Sequence, residues 1–152
     1  MARRRITRRY GGFTLIEVLI AVLVLSVGLL GLAGLQATSL RQNHGAYQRS
    51  LASLFADDLL DRMRANRSAA IAGAYDISFD SENALPAISA SSLAEQDLAH
   101  WGRELLAKLP SATASIDVTN HEALIDIQWD GSRTDNKEQA SATEAFRFRT
   151  RL

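Results

Sequence analysis

Residues 18–35 carry no ionisable side chain, and this uncharged run follows closely on a glycine pair, Gly11-Gly12, that ends a basic leader. About 18 or more apolar residues in succession are long enough to cross a bilayer as a helix, which commits this end of the chain to a membrane or to an equally dry setting. One acid, Glu17, stands at the head of the run. A carboxylate in hydrocarbon is costly and is usually retained because it finds a partner.

The leader differs from an ordinary secretory signal. There, positive charge precedes an apolar stretch of about 7–15 residues and the cut falls after that stretch. Here Arg3, Arg4, Arg5, Arg8 and Arg9 lead directly into Gly11-Gly12, and the apolar run comes afterwards. Five arginines on the N-terminal side also hold that end in the cytoplasm and send the C-terminal part outward.

The length of 152 residues leaves room for one span and one modest exterior domain. Seventeen basic residues balance seventeen acidic ones. Residues 1–12 hold five of the arginines, and the remainder of the chain carries 12 basic against 17 acidic residues, a net charge of about −5. An acidic exterior domain is a poor nonspecific binder of nucleic acid, so no nucleic-acid partner is expected. The absence of cysteine excludes disulfides, thiol chemistry and thiolate metal sites.

Helical periodicity continues past the span. Leu40, Tyr47, Leu51, Leu54, Phe55, Leu59 and Met63 fall mostly at three- and four-residue steps, and the first proline is Pro86. One helix over about residues 13–66 is expected, roughly 80 Å long, with a Leu51/Phe55/Leu59/Met63 stripe against a head domain. Asp58 with Arg62 and Asp61 with Arg64 have spacings that suit ion pairs on the solvated side, each worth about 0.2–0.5 kcal/mol. Asn66 and residues 68–73 read as stop signals, with Gly73 available as a left-handed cap.

A loop with a short strand over about residues 75–79 is expected next. Ser92 and Glu95 then form a capping-box pattern ahead of an apolar face made by Leu98, Trp101, Leu105 and Leu109, which predicts a helix over about 93–108, ended by Pro110. After it the period becomes two. Ile116/Val118, Ile125/Ile127/Trp129 and Phe146/Phe148 alternate with polar neighbours, as in half-buried antiparallel strands. Asn120-His121-Glu122 suits a turn, Asp130-Gly131 the opening of a polar loop to about 141, and Arg147, Arg149 and Arg151 the face opposite the phenylalanines. These elements define an α+β protein: a long N-terminal helix on a small head with a second helix and a C-terminal antiparallel sheet of about three strands. Its expected parts are a leader at 1–12, a transmembrane and assembly helix at 13–35, a helix continuation packed on the head at 36–67, and the head at 68–152.

Residues 11–21, Gly-Gly-Phe-Thr-Leu-Ile-Glu-Val-Leu-Ile-Ala, resemble the processing site of type IV prepilins and type II secretion pseudopilins. The resemblance implies a pilin-like fold and a cut between Gly12 and Phe13 by a prepilin peptidase/N-methyltransferase. Phe13 would then be the methylated first mature residue and Glu17 the fifth, the acid used in assembly. Residues 27–36 and, more specifically, residues 58–67, Asp-Leu-Leu-Asp-Arg-Met-Arg-Ala-Asn-Arg, are similar to the type IV pilus modification protein PilV family of minor pilins. Many major pilins close a C-terminal loop with a disulfide, so the lack of cysteine weighs against the bulk structural subunit. The resemblance covers about the first 67 residues.

The function it implies is assembly: a minor pilin in the cytoplasmic (inner) membrane, head in the periplasm, that joins other minor pilins and the major pilin at pilus initiation and so bears on adhesion and twitching motility. Arg62, Arg64, Asn66 and Arg67 are candidates for partner binding, or else a solvated helix end. A minor pseudopilin of a type II secretion system shares the same leader and Glu17, and a periplasmic binding module or enzyme held by a signal anchor is a third reading. His44, His100 and His121 lie on different elements without paired ligand spacing, so no metal is expected. No Ser/His/Asp set, phosphate-binding loop or carboxylate pair is recognisable, which leaves no case for catalysis, a cofactor or a small-molecule substrate.

Overall fold

The computed structural model describes residues 12–80, 84–87, 91–131 and 143–152. The described elements are α1 (Leu15–Ala65), α2 (Arg67–Ile71), β1 (Ile77–Phe79), α3 (Leu93–Lys108), β2 (Thr113–Thr119), β3 (Glu122–Asp130) and β4 (Thr143–Arg151). The chain divides into two compact units, Met1–Ser39 and Leu40–Leu152.

The described part of the first unit is a short non-helical lead, residues 12–14, and the N-terminal part of α1. Thr14 starts the helix: its carbonyl accepts from the backbone N–H groups of Glu17 and Val18, and its hydroxyl accepts a second bond from Glu17 N–H at 3.3 Å. Every side chain of residues 12–39 is exposed. The hydroxyls of Ser26 and Thr38 bond back to the carbonyls of Val22 and Gly34 at 2.7 and 3.0 Å, which satisfies them without water. By length and composition α1 can cross a membrane.

In the second unit, the rest of α1 buries Gly45, Gln48, Ala52, Ala56, Leu59, Leu60 and Met63. The expected stripe is therefore rotated. Leu59 and Met63 are fully buried, Leu51 and Phe55 are half-buried at its margin, and Leu40, Tyr47 and Leu54 are exposed. Small side chains at 45, 52 and 56 let neighbours reach the helix backbone, and the Trp101 indole does so at the carbonyl of Phe55.

The helix stops at Ala65, but the following residues are not simply loop. Asn66 leaves helical geometry for one residue, and the five-residue α2 follows. Gly73 caps α2 rather than the long helix. With φ of 82°, it donates to Ala70 O while Ala74 donates to Ala69 O, the paired bonds of a Schellman ending.

The capping box of Ser92 and Glu95 is formed, and α3 buries Leu98, Trp101 and Leu105. Asn120 and His121, with φ of 53° and 65°, make a two-residue turn between β2 and β3, the left-handed pair that such hairpins require. The sheet has four antiparallel strands in the order β1-β2-β3-β4, the C-terminal three joined by the short strand expected near residues 75–79. That strand is Ile77–Phe79, so Tyr75 lies before it. Asp130 belongs to β3 instead of opening a turn, and the polar loop expected after it lies largely outside the described residues.

One sheet face is the core. Ile77, Ile116, Ile125 and Phe148 align across the four strands, and Phe79, Ala114, Ile127 and Phe146 form the next row. Trp101 and Trp129 are buried, as expected, whereas Phe146 and Phe148 are half-buried and stack at 6.4 Å between ring centroids. On the opposite face Arg147, Arg149 and Arg151 are exposed, and Arg147 holds the buried Asp126 through Nε at 2.9 Å and through Nη2.

Candidate processing and assembly site

Gly12, Phe13 and Thr14 are exposed and non-helical, immediately before α1. The Gly12–Phe13 peptide bond thus lies in accessible backbone at the head of an exposed apolar helix. A methyl group built on Gly12 would meet nothing within 4 Å, so no intramolecular contact demands glycine there. Phe13 is 84% exposed.

Glu17 occupies the third position of the helix. Its backbone N–H is taken by Thr14, while its carboxylate is exposed and forms no hydrogen bond or ion pair among the described residues. Thr14 was not singled out by the sequence reading, although Thr-Leu-Ile-Glu carries the capping-box spacing that would have found it. Negative charge in the first helical turn also meets the positive end of the helix dipole. The same residue types that resemble a processing site therefore also start the helix.

The four residues near the end of α1 and the start of α2 separate into different environments. Arg62 Nε donates to Asp58 at 3.0 Å and Nη1 to Asp97 at 3.3 Å. Burial opposes its charge, but the bonds and fields of the two carboxylates prevail and raise its pKa. Tyr75 donates to the other oxygen of Asp97 at 2.7 Å and accepts from the Asn66 amide at 3.3 Å. Its phenol is pushed up to about 12, first by burial and then by its bond to Asp97. Arg62 and Asn66 thus meet through Asp97 and Tyr75, two residues the sequence reading did not connect to them. Arg64 instead reaches Asp61 at 3.3 Å on the surface, and Arg67 donates to the carbonyl of Leu152 at 2.9 Å.

His44, His100 and His121 are exposed on α1, α3 and the β2–β3 turn. Among the described residues no three His, Cys, Asp or Glu side chains gather as a metal site would need.

Residues 7–33 match the prokaryotic N-terminal methylation motif, a type IV pilin-like prepilin signal. No curated protein and no solved structure gave a significant match to the chain. The motif supports the superfamily of type IV pilins and pseudopilins, and the long helix with its α+β head fits a pilin-like layout. It points to a structural protein anchored by an apolar helix, and it implies processing by a prepilin peptidase and assembly with other pilins.

Proposed function

We propose that the chain is a minor type IV pilin of the PilV kind. A prepilin peptidase cuts between Gly12 and Phe13 and methylates the new amine, and the protein waits in the inner membrane with its head in the periplasm. It then joins other minor pilins and the major pilin to initiate the pilus, on which adhesion and twitching motility depend. The observation that carries this reading is the methylation motif at the head of an apolar helix, with no residue from 12 to 39 buried within the chain. Such a surface needs lipid or neighbouring helices. Gly28, Gly31 and Gly34 have open space at their Cβ positions and suit close approach of a neighbour's helix.

The assembly chemistry is charge pairing away from water. The amine of Phe13 in one subunit and the Glu17 carboxylate of its neighbour neutralise one another, and loss of one member of such a buried pair costs about 3–5 kcal/mol. Glu17→Leu makes the span more apolar and leaves the Gly12–Phe13 bond untouched. Membrane insertion and leader removal should therefore continue, while co-purification with partner pilins and surface piliation fall. Full incorporation of the variant would sink the charge-pairing mechanism. Capture of secretion pseudopilins in place of pilus subunits would move the protein to the secretion reading.

A further inference from the structure

The open edge of β4 has a specific chemistry. The bond from Leu152 N–H to His121 O sets the phase of the β3–β4 ladder, so residues 144, 146, 148 and 150 direct their backbone groups to β3. The N–H and C=O groups of residues 143, 145, 147, 149 and 151 therefore point away from the sheet. No other described strand pairs with them, because β4 is the last strand in the order. The strand runs nine residues opposite β3 in unbroken register. A regular edge of this length is a template for another strand.

The side chains say which strand it suits. Those of Arg147, Arg149 and Arg151 stand on the outer face, in line with the free backbone groups. Arg147 holds Asp126, whereas Arg149 and Arg151 form no ion pair among the described residues. On the other face Phe146 and Phe148 are half-buried beside the edge. We infer that β4 accepts an extended segment of a partner protein in which acidic and apolar residues alternate. Backbone pairing with residues 147, 149 and 151 sets the register, the acids lie beside the arginines, and the apolar residues cover the two phenylalanines. This surface lies on the head and stands independently of the pilus reading.

The test uses the full chain in detergent micelles and three fluorescent heptapeptides, read by anisotropy. One alternates Glu and Val, the second replaces Glu by Lys, and the third is the Glu peptide with alternate backbone nitrogens methylated on its pairing edge. The Glu peptide should bind in a salt-sensitive way, and the methylated and Lys peptides should bind at least about tenfold more weakly. Arg149→Glu with Arg151→Glu should reverse the preference between Glu and Lys peptides, with Arg149→Gln/Arg151→Gln as a milder pair and near-ultraviolet dichroism confirming the fold. Equal binding of the methylated and unmethylated Glu peptides would overturn strand addition in favour of a merely charged face. No binding of the Glu peptide, or no change of preference in the correctly folded variants, would overturn the proposal outright.

Discussion

The indole N–H of Trp101 donates to the main-chain carbonyl of Phe55 at 2.9 Å, so a residue of α3 is bonded to the backbone of α1 across 46 positions of sequence. The same indole meets the rings of Phe55 and Phe79 edge-on, with centroids at 6.4 and 6.0 Å. One side chain thereby joins α1, α3 and β1. Edge-to-face pairs of this kind add about 0.5–1.5 kcal/mol beyond the area they bury.

Trp101→Phe keeps an aromatic ring but removes the donor and leaves space. Stability of the head should fall by about 1–3 kcal/mol, from the lost hydrogen bond and the unfilled volume together. Chemical denaturation followed by the remaining Trp129 measures it. A change within about 0.5 kcal/mol would mean that the bond to Phe55 does not hold the helices together.

Gly73→Ala tests the ending of α2. At φ of 82° a side chain is strained, and a Cβ there would sit 3.0 Å from an Asp76 carboxylate oxygen. Asp76 in turn accepts from the Val118 N–H at 2.9 Å, so displacing it disturbs the sheet as well. A loss of about 1–2 kcal/mol is expected, with Gly73→Asn milder because Asn tolerates the left-handed region. An unchanged unfolding midpoint for Gly73→Ala would contradict the cap.

Tyr75 gives a pH signature. Its phenol keeps its proton up to about 12 in the folded chain, above the usual 10. The folded state therefore binds more protons between these values, and the stabilisation present below pH 10 is lost as pH rises towards 12. Comparing the native chain with Tyr75→Phe cancels the other groups that titrate there. The stability difference between them should shift in this window, and a difference that stays level across it would remove the Asp97 bond and burial as causes.

Much of the head could be read in the sequence because its signals are local. The Ser92–Glu95 box and the Leu98/Trp101/Leu105 spacing lie within one helix, and the Asn120-His121 turn lies within one hairpin. The shape of the α1 interface was not legible, since Gly45, Ala52 and Ala56 carry little apolar signal and are buried because they permit close approach, and Gln48 is polar yet buried. The short strand β1 was expected, but its place in the sheet was not legible, because its pairing with β2 joins residues far apart in sequence. The same holds for Arg62 and Asn66, whose shared network depends on Tyr75 and Asp97. Gly12, Phe13 and Glu17 lie within the matched methylation motif, a contiguous signal that needs no fold to be read.

The division of the chain gives a further expectation. Burial in α1 begins only at Gly45, and the compact second unit begins at Leu40. A chain beginning at Gln36 should therefore remain soluble and unfold cooperatively, with Trp101 and Trp129 buried. Aggregation or a non-cooperative transition would mean that the apolar span helps to build the head.

Intact mass spectrometry of the membrane-extracted protein, from cells with an active prepilin peptidase, tests the central claim most directly. The account predicts a chain beginning at Phe13, one methyl group heavier than its sequence, with the five leader arginines gone. A protein that retains Met1 and the leader in those cells would contradict it.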